Sequence, residues 1–207
     1  MITLYTNATP NGHRAAIMLE ETGIPYTVAV VDLAAGKHKT PEFLAINATG
    51  RIPAIVDDDT PEGTLALAET LAIALYLCEK SGNLMPQTVS GRARAWQWAA
   101  TVISGFGAAT PGLFFAKQLG ETEHAKLIAK FYADIAGYLT AMDADLAQRP
   151  YLAGEEFCFA DALAIPVIVL SLPRFGVDLT PYPAVCRWRE LVMQREGVQR
   201  GFKVPAA

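Results

Sequence analysis

The chain has 207 residues, 52% hydrophobic and 18% charged, with a formal net charge of −4. That length allows one large domain or two modest ones and buries enough apolar surface to stay folded. With no basic run it lacks what a nucleic-acid or anionic membrane surface needs, so neither partner is expected.

Met1-Ile2-Thr3-Leu4-Tyr5 enters a strand pattern directly, without the charged and apolar regions of a signal peptide. No run of 18 apolar residues escapes Gly, Pro or charge, so no membrane span is expected. Cys78, Cys158 and Cys186 are odd in number, widely spaced and lack a C-x-x-C pair. This argues against a disulfide framework and against zinc. His13, His38 and His124 form no metal-type cluster either, so no metal is expected. A reducing cytoplasm fits these features. The apolar excess also points toward a buried subunit interface.

In chain order, Ile2–Thr6 reads as a strand and Asn11–Thr22 as a helix stopped by Gly23. Tyr26–Val31 is a Val-rich strand and Pro41–Asn47 a short helix. Pro53–Asp57 is an apolar strand. The turn chemistry of residues 57–63 joins it to Thr64–Leu67. Glu69–Lys80 is a helix closed by Gly82. The order βαβ, α, ββα requires one parallel and one antiparallel pair, hence a mixed four-stranded sheet with helices on both sides. Residues 83–89 read as a linker. Beyond them only helical periods occur: Gly91–Ser104, a stretch interrupted at Gly105, Gly107, Pro111 and Gly112, then Leu113–Gly120. A kinked or broken helix is expected there. Glu121–Gln148 and Tyr182–Arg195 are amphipathic, and Ala160–Leu172 is apolar all round, so it is the expected buried helix.

Three fragments carry chemistry. In Thr9-Pro10-Asn11-Gly12-His13-Arg14 a polar loop opens a helix, whose free N–H groups and positive partial charge favour an anion such as a thiolate. Thr9 and Asn11 add donors there; plain N-capping is the other reading. In Gly50-Arg51-Ile52-Pro53 a proline opens a central strand, which a cis Ile52–Pro53 bond would explain. That bond would turn the Ile52 backbone outward toward an extended peptide; a simple strand-initiating Pro is the alternative. Glu69-Thr70 places an acid and a hydroxyl at a helix start, either as a cap or as partners for a ligand ammonium and carboxylate.

These fragments, with Tyr76-Leu77 and the Tyr151–Phe157 segment leading to Ala160-Asp161, resemble the glutathione transferase family over essentially the whole chain. The Thr9–Arg14 stretch followed by Leu19-Glu20-Glu21 most resembles its bacterial Nu class. The resemblance implies a thioredoxin-like glutathione-binding domain over 1–82 and a linker over 83–89. An all-helical domain over 90–207 would line a second-substrate pocket. It implies Thr9 and Asn11 at the glutathione sulfur and Ile52 with Pro53 at the cysteinyl backbone. Glu69 and Thr70 fall at the γ-glutamyl end, and His38 and Arg51 at the glycine carboxylate. It further implies a cytoplasmic homodimer, glutathione as co-substrate, and attack on an apolar electrophile or a disulfide. A non-catalytic interaction or regulatory module is the alternative.

The sequence departs from the family pattern in places. Thr70 replaces the usual Ser and keeps the hydroxyl. Asn47-Ala48-Thr49 replaces Asn-Pro before Gly50, from which a looser Arg51 loop is expected. Cys158 replaces a hydroxyl N-cap, from which a weakened helix start, or rescue by other groups, is expected. Around Lys130-Phe131-Tyr132 no counterpart appears of the basic residue that Nu-class relatives direct toward glutathione. Tyr5 and both Trp96 and Trp98 are expected to pack, and His13 to lie on a helix surface or dimer contact.

Overall fold

The computed structural model describes residues 1–206. Its strands are β1 (Ile2–Thr6), β2 (Tyr26–Val30), β3 (Ala54–Asp57) and β4 (Leu65–Ala68), in one sheet of order β2-β1-β3-β4. β1 and β2 are parallel because a helix, α1 (Pro10–Thr22), crosses between them. β3 runs antiparallel to both β1 and β4. Two further helices complete this region, α2 (Pro41–Ile46) and α3 (Thr70–Ser81).

Alternation sorts the side chains. Ile2, Leu4 and Ile55 are fully buried. On the opposite face Tyr5, Ala54 and Ala68 pack with Val31 and with Phe43 of α2. Tyr5 meets Phe43 edge-on at 6.2 Å, so it is a packing residue, as expected.

A buried carboxylate ties α3 to the sheet. Asp57 accepts from the Tyr76 hydroxyl at 2.5 Å, from Lys80 Nζ at 2.8 Å and from the Asp59 N–H at 3.0 Å. Burial alone would raise its pKa, but Lys80, Tyr76 and the Asp59 amide together hold it below the ordinary carboxylate range. A depressed acid stabilises the fold above its unfolded pKa of about 3.9, and that contribution disappears as pH falls through the lower folded value. Asp57→Asn should therefore cost about 1–3 kcal/mol at neutral pH. The gap to the parent should close in urea titrations run progressively below about pH 4. A gap independent of pH would mean that the pairing does not depend on the carboxylate charge.

The remaining helices are α4 (Val89–Ala100), α5 (Gly107–Leu119), α6 (Ala125–Leu146), α7 (Phe159–Pro166), α8 (Leu172–Arg174), α9 (Pro183–Met193) and α10 (Glu196–Gly201). Of the expected kink or break after Ser104, the break does not occur. α4 runs into α5 through a wide π-type turn, Thr101–Phe106, and Pro111 sits inside the helix. The glycines serve packing instead: a Cβ on Gly105 would stand 2.9 Å from the Tyr138 ring, and one on Gly112 would overlap Phe131. By length and composition the continuous helix Val89–Leu119 is apolar enough to cross a membrane, with a mean hydropathy of 1.4 over its best window. Its apolar residues Trp98, Val102, Phe106 and Leu113 are buried in the fold.

Two compact units result. One comprises Met1–Met85 together with the chain from Met193 onward, and the other Pro86–Val192. The expected division is 1–82, 83–89 and 90–207; by packing, the chain from Met193 onward groups with the first unit. The last segment joins the first unit because α10 packs on α1. A Cβ on Gly201 would stand 2.6 Å from Ile17. Arg195 pairs with Glu21 at 2.6 Å and Arg200 with Glu20 at 2.6 Å. His13 is also corrected: it is buried, facing the Gly201 carbonyl at 3.3 Å and the Phe202 ring at 5.4 Å. Trp98 is buried and donates to Asp145 at 2.7 Å, whereas Trp96, expected to pack, is 52% exposed.

Candidate active site

One row of paired residues fixes the site. Tyr5 of β1 stands opposite Ala54 of β3, which stands opposite Ala68 of β4. Just beyond that row, on the same edge, come the β1–α1 loop, the residues entering β3 and the β4–α3 turn. Asn11, Arg51, Ile52, Pro53, Glu69 and Thr70 line one cleft there, together with Asn47. Chain positions more than 40 apart thus meet through the antiparallel register alone.

The β1–α1 loop is held by its own polar groups. Asn7 donates to the Val31 carbonyl at 2.7 Å and accepts from the Ala8 N–H at 2.7 Å. Thr9 is the N-cap, its hydroxyl accepting from the Gly12 N–H at 3.0 Å. Thr9 thus caps α1, as one of its two readings proposed. Asn11 is the second residue of α1, exposed and lining the cleft. Arg14 Nη1 donates to Asn11 Oδ1 at 2.6 Å.

The loop before β3 is not slack. Asn47 donates to the Arg51 carbonyl at 2.7 Å and accepts from the Thr49 N–H and hydroxyl at 3.1 and 2.9 Å. The Gly50 N–H closes on the Asn47 carbonyl at 2.8 Å. Thr49 thereby supplies the order that the missing proline was expected to remove. Gly50 has a φ of 59°, and a Cβ there would stand 2.8 Å from the His38 carbonyl. The Ile52–Pro53 bond is cis, as expected from the sequence. Among the described residues, neither peptide group of Ile52 pairs with another backbone group. His38 stands behind this loop rather than in the cleft, half-buried on a short 3₁₀ turn. Its Nδ1 is buried without a protein partner among the described residues.

Glu69 is the N-cap of α3 but does not cap it with its side chain. It carries a φ of 69° and a ψ of 121°, outside the ordinary regions for a residue with a Cβ. The N-terminus of α3, whose first N–H groups lack helical partners, thus lies at the cleft with Glu69 and Thr70. Such an end suits a ligand bearing both an ammonium and a carboxylate. Arg51, exposed at the other end, suits a second carboxylate. Two of the chain's own thiols, Cys78 and Cys158, are buried and poor nucleophiles. Burial pushes Cys78 up to about 12 and Cys158 well above its ordinary value. Among the described residues, no cysteine lines the cleft.

Sequence reasoning missed Asn47 and Arg14. The Asn-x-Thr spacing was a usable sign of the Asn47 turn. Arg14 gave none, because burial of a cation cannot be read from helical position alone.

A thioredoxin-like sheet with a cis-proline facing a helix N-terminus, followed by an all-helical unit, is the architecture of the glutathione transferases. The family models agree. Residues 8–80 match the glutathione S-transferase N-terminal domain, and residues 95–196 match the C-terminal domain. The chain is 34% identical to the disulfide-bond oxidoreductase YfcG of Escherichia coli, over 94% of this chain and 91% of that protein. A Burkholderia graminis glutathione transferase crystallised with two glutathione molecules per subunit superposes with a TM-score of 0.91. It is 33% identical, covering 99% of this chain and 88% of that one. A Pseudomonas putida glutathione transferase holding one glutathione disulfide per subunit gives 0.92 at 31% identity, covering 99% and 91%. The chain belongs to the glutathione S-transferase family.

Proposed function

We propose that this protein is a glutathione transferase that activates the glutathione thiolate against an electrophile or a disulfide. The carrying observation is the cleft itself, which gathers Asn11, Arg51, Ile52, Pro53, Glu69 and Thr70, and these are assigned to a γ-glutamyl tripeptide as follows. Glu69 takes the ammonium, Thr70 and the α3 N–H groups the adjacent carboxylate. The open Ile52 backbone pairs with the cysteinyl residue, and Arg51, with His38 behind it, attracts the glycine carboxylate. Asn11 donates to the sulfur, and Thr9 holds the loop that presents it.

A free thiol titrates near 8.5, so little of it is nucleophilic at neutral pH. An amide donor and the positive end of α1 favour the anion over the thiol. With a disulfide acceptor, the thiolate sulfur forms a new S–S bond while the old one breaks, and the leaving thiolate carries away the electron pair. A second glutathione then completes the reduction by the same exchange. Disulfide reduction and a place in the Nu class are favoured by the Thr9/Asn11 loop. Similarity to a disulfide-bond oxidoreductase and to transferases holding two glutathiones or one glutathione disulfide favours the same reading. The protein acts in the cytoplasm as a homodimer joined across Leu71–Cys78 and the Arg92–Trp98 helix, where Trp96 is exposed. A monomeric mass in sedimentation would refute that interface.

Calorimetric titration with reduced glutathione tests the central reading; no binding to the folded protein would favour a non-catalytic module. Asn11→Ala should lower turnover about 100-fold, as loss of one charge-stabilising donor does. Glutathione affinity should change less than about threefold, and equal losses in both would remove Asn11 from the chemistry.

A further inference from the structure

Arg14 is buried at 3% exposure, an unusual place for a guanidinium. Burial lowers its pKa to about 10, which leaves it charged at neutral pH. One of its bonds runs to Asn11 Oδ1 at 2.6 Å, one helical turn back along α1.

That bond has a definite chemical consequence. Arginine carries only donors, so the Asn11 atom facing it must be the carbonyl oxygen. The amide is planar, and its NH₂ group is therefore on the side away from Arg14. Asn11 lines the cleft beside Ile52 and Glu69. A freely rotating amide would offer a sulfur anion its repelling oxygen as readily as its donors. We propose that Arg14 is a positioning residue: it locks the Asn11 amide with its N–H donors toward the glutathione sulfur and strengthens them by polarising the carbonyl. A charged partner makes a stronger hydrogen bond, and linked bonds polarise one another. This rests on the glutathione reading, whose own test is binding to the parent protein.

Among the described residues the other charged groups lining the cleft are Arg51 and Glu69, and Lys39 stands just behind it with its Nζ on the Thr49 carbonyl at 3.2 Å. On α1 and α10, Glu20, Glu21, Arg195 and Arg200 pair among themselves. Substitution at Arg14 changes none of these residues.

The experiment measures the pKa of enzyme-bound glutathione by ultraviolet thiolate absorbance, alongside the pH profile of kcat. Arg14→Met should raise the bound-thiol pKa by about one unit and cut kcat about tenfold at neutral pH. The KM for glutathione should move by less than about threefold. Arg14→Lys, which can still donate to the oxygen, should recover most of both. In an Asn11→Ala background Arg14→Met should add nothing further. Should Arg14→Met fail to fold, Asn11→Asp serves instead. It keeps an acceptor for Arg14 but removes the donors, and it should fold, bind less well and show a raised thiol pKa. A parent that binds glutathione together with an unmoved thiol pKa in folded Arg14→Met, or in Asn11→Asp, would overturn the proposal. So would an equal shift with and without Asn11.

Discussion

Replacing Asp161 by alanine should destabilise the protein by about 3–5 kcal/mol, because it leaves several buried donors unpaired. Asp161 is fully buried in the first turn of α7. Its Oδ1 accepts from the Leu152 N–H at 3.0 Å and from Trp188 Nε1 at 2.7 Å. Its Oδ2 accepts from the Cys158 N–H at 3.0 Å and from the Cys158 thiol at 3.3 Å. One carboxylate thus joins the Tyr151–Cys158 loop, the start of α7 and helix α9. Alanine would strand three buried N–H donors, each costing about 1–3 kcal/mol unpaired. Relief of the carboxylate's own burial cost offsets part of that sum.

Burial raises the Asp161 pKa, with the four donors pulling the other way. A raised acid contributes stability that is fully present below its unfolded pKa and lost as pH rises through the folded value. The penalty of Asp161→Ala should therefore be no smaller in mildly acidic urea titrations than at neutral pH. Shrinkage of the penalty on acidification, the behaviour expected of Asp57, would show that ionic attraction rather than donor satisfaction dominates. The same cluster answers what becomes of the Cys158 cap. Rescue comes from Asp161, which bonds both the backbone and the thiol of residue 158. Sulfur is a weak acceptor, so Cys158→Ser should gain up to about 1 kcal/mol.

The sheet and the cleft were legible because they rest on local signals that tertiary context did not override. Gly23 and Gly82 end α1 and α3 in the left-handed conformation, as their positions after apolar periods imply. Pro53 at a strand start required a special backbone, and the bond is cis. The failures share a different cause. Glycines 105 and 112 read as breakers, yet they admit the Tyr138 and Phe131 rings of α6, a contact with no trace in the local pattern. α10 was missed because Glu-Gly-Val-Gln-Arg-Gly has no helical apolar period; its order comes from Ile17, Glu20 and Glu21, some 180 residues away. His13 looked polar and superficial for the same reason. Local sequence reports what a segment prefers, whereas these positions are decided by what arrives from elsewhere in the chain.

The largest functional effect is expected at Glu69. A residue with a Cβ at a φ of 69° and a ψ of 121° costs of order 1–3 kcal/mol. Its side chain is exposed and does not repay this by capping α3. Under the proposed function the turn would set the Glu69 carboxylate beside the ligand ammonium, and the strain would then serve binding. Glu69→Ala should weaken glutathione binding by about 2–4 kcal/mol, roughly 30- to 1,000-fold, by leaving the ligand ammonium without a partner. Stability should stay within about 0.5 kcal/mol of the parent, because the backbone strain remains and an exposed side chain is lost. Glu69→Gly should lose binding to the same extent yet exceed the alanine variant in stability by about 1 kcal/mol, since glycine adopts positive φ without a steric penalty. Calorimetry on both variants, paired with urea midpoints, separates the two terms. Binding within about twofold of the parent in Glu69→Ala would remove the carboxylate from ligand recognition. A glycine variant no more stable than alanine would remove the strain, and the acid would then occupy this turn at no cost to the fold.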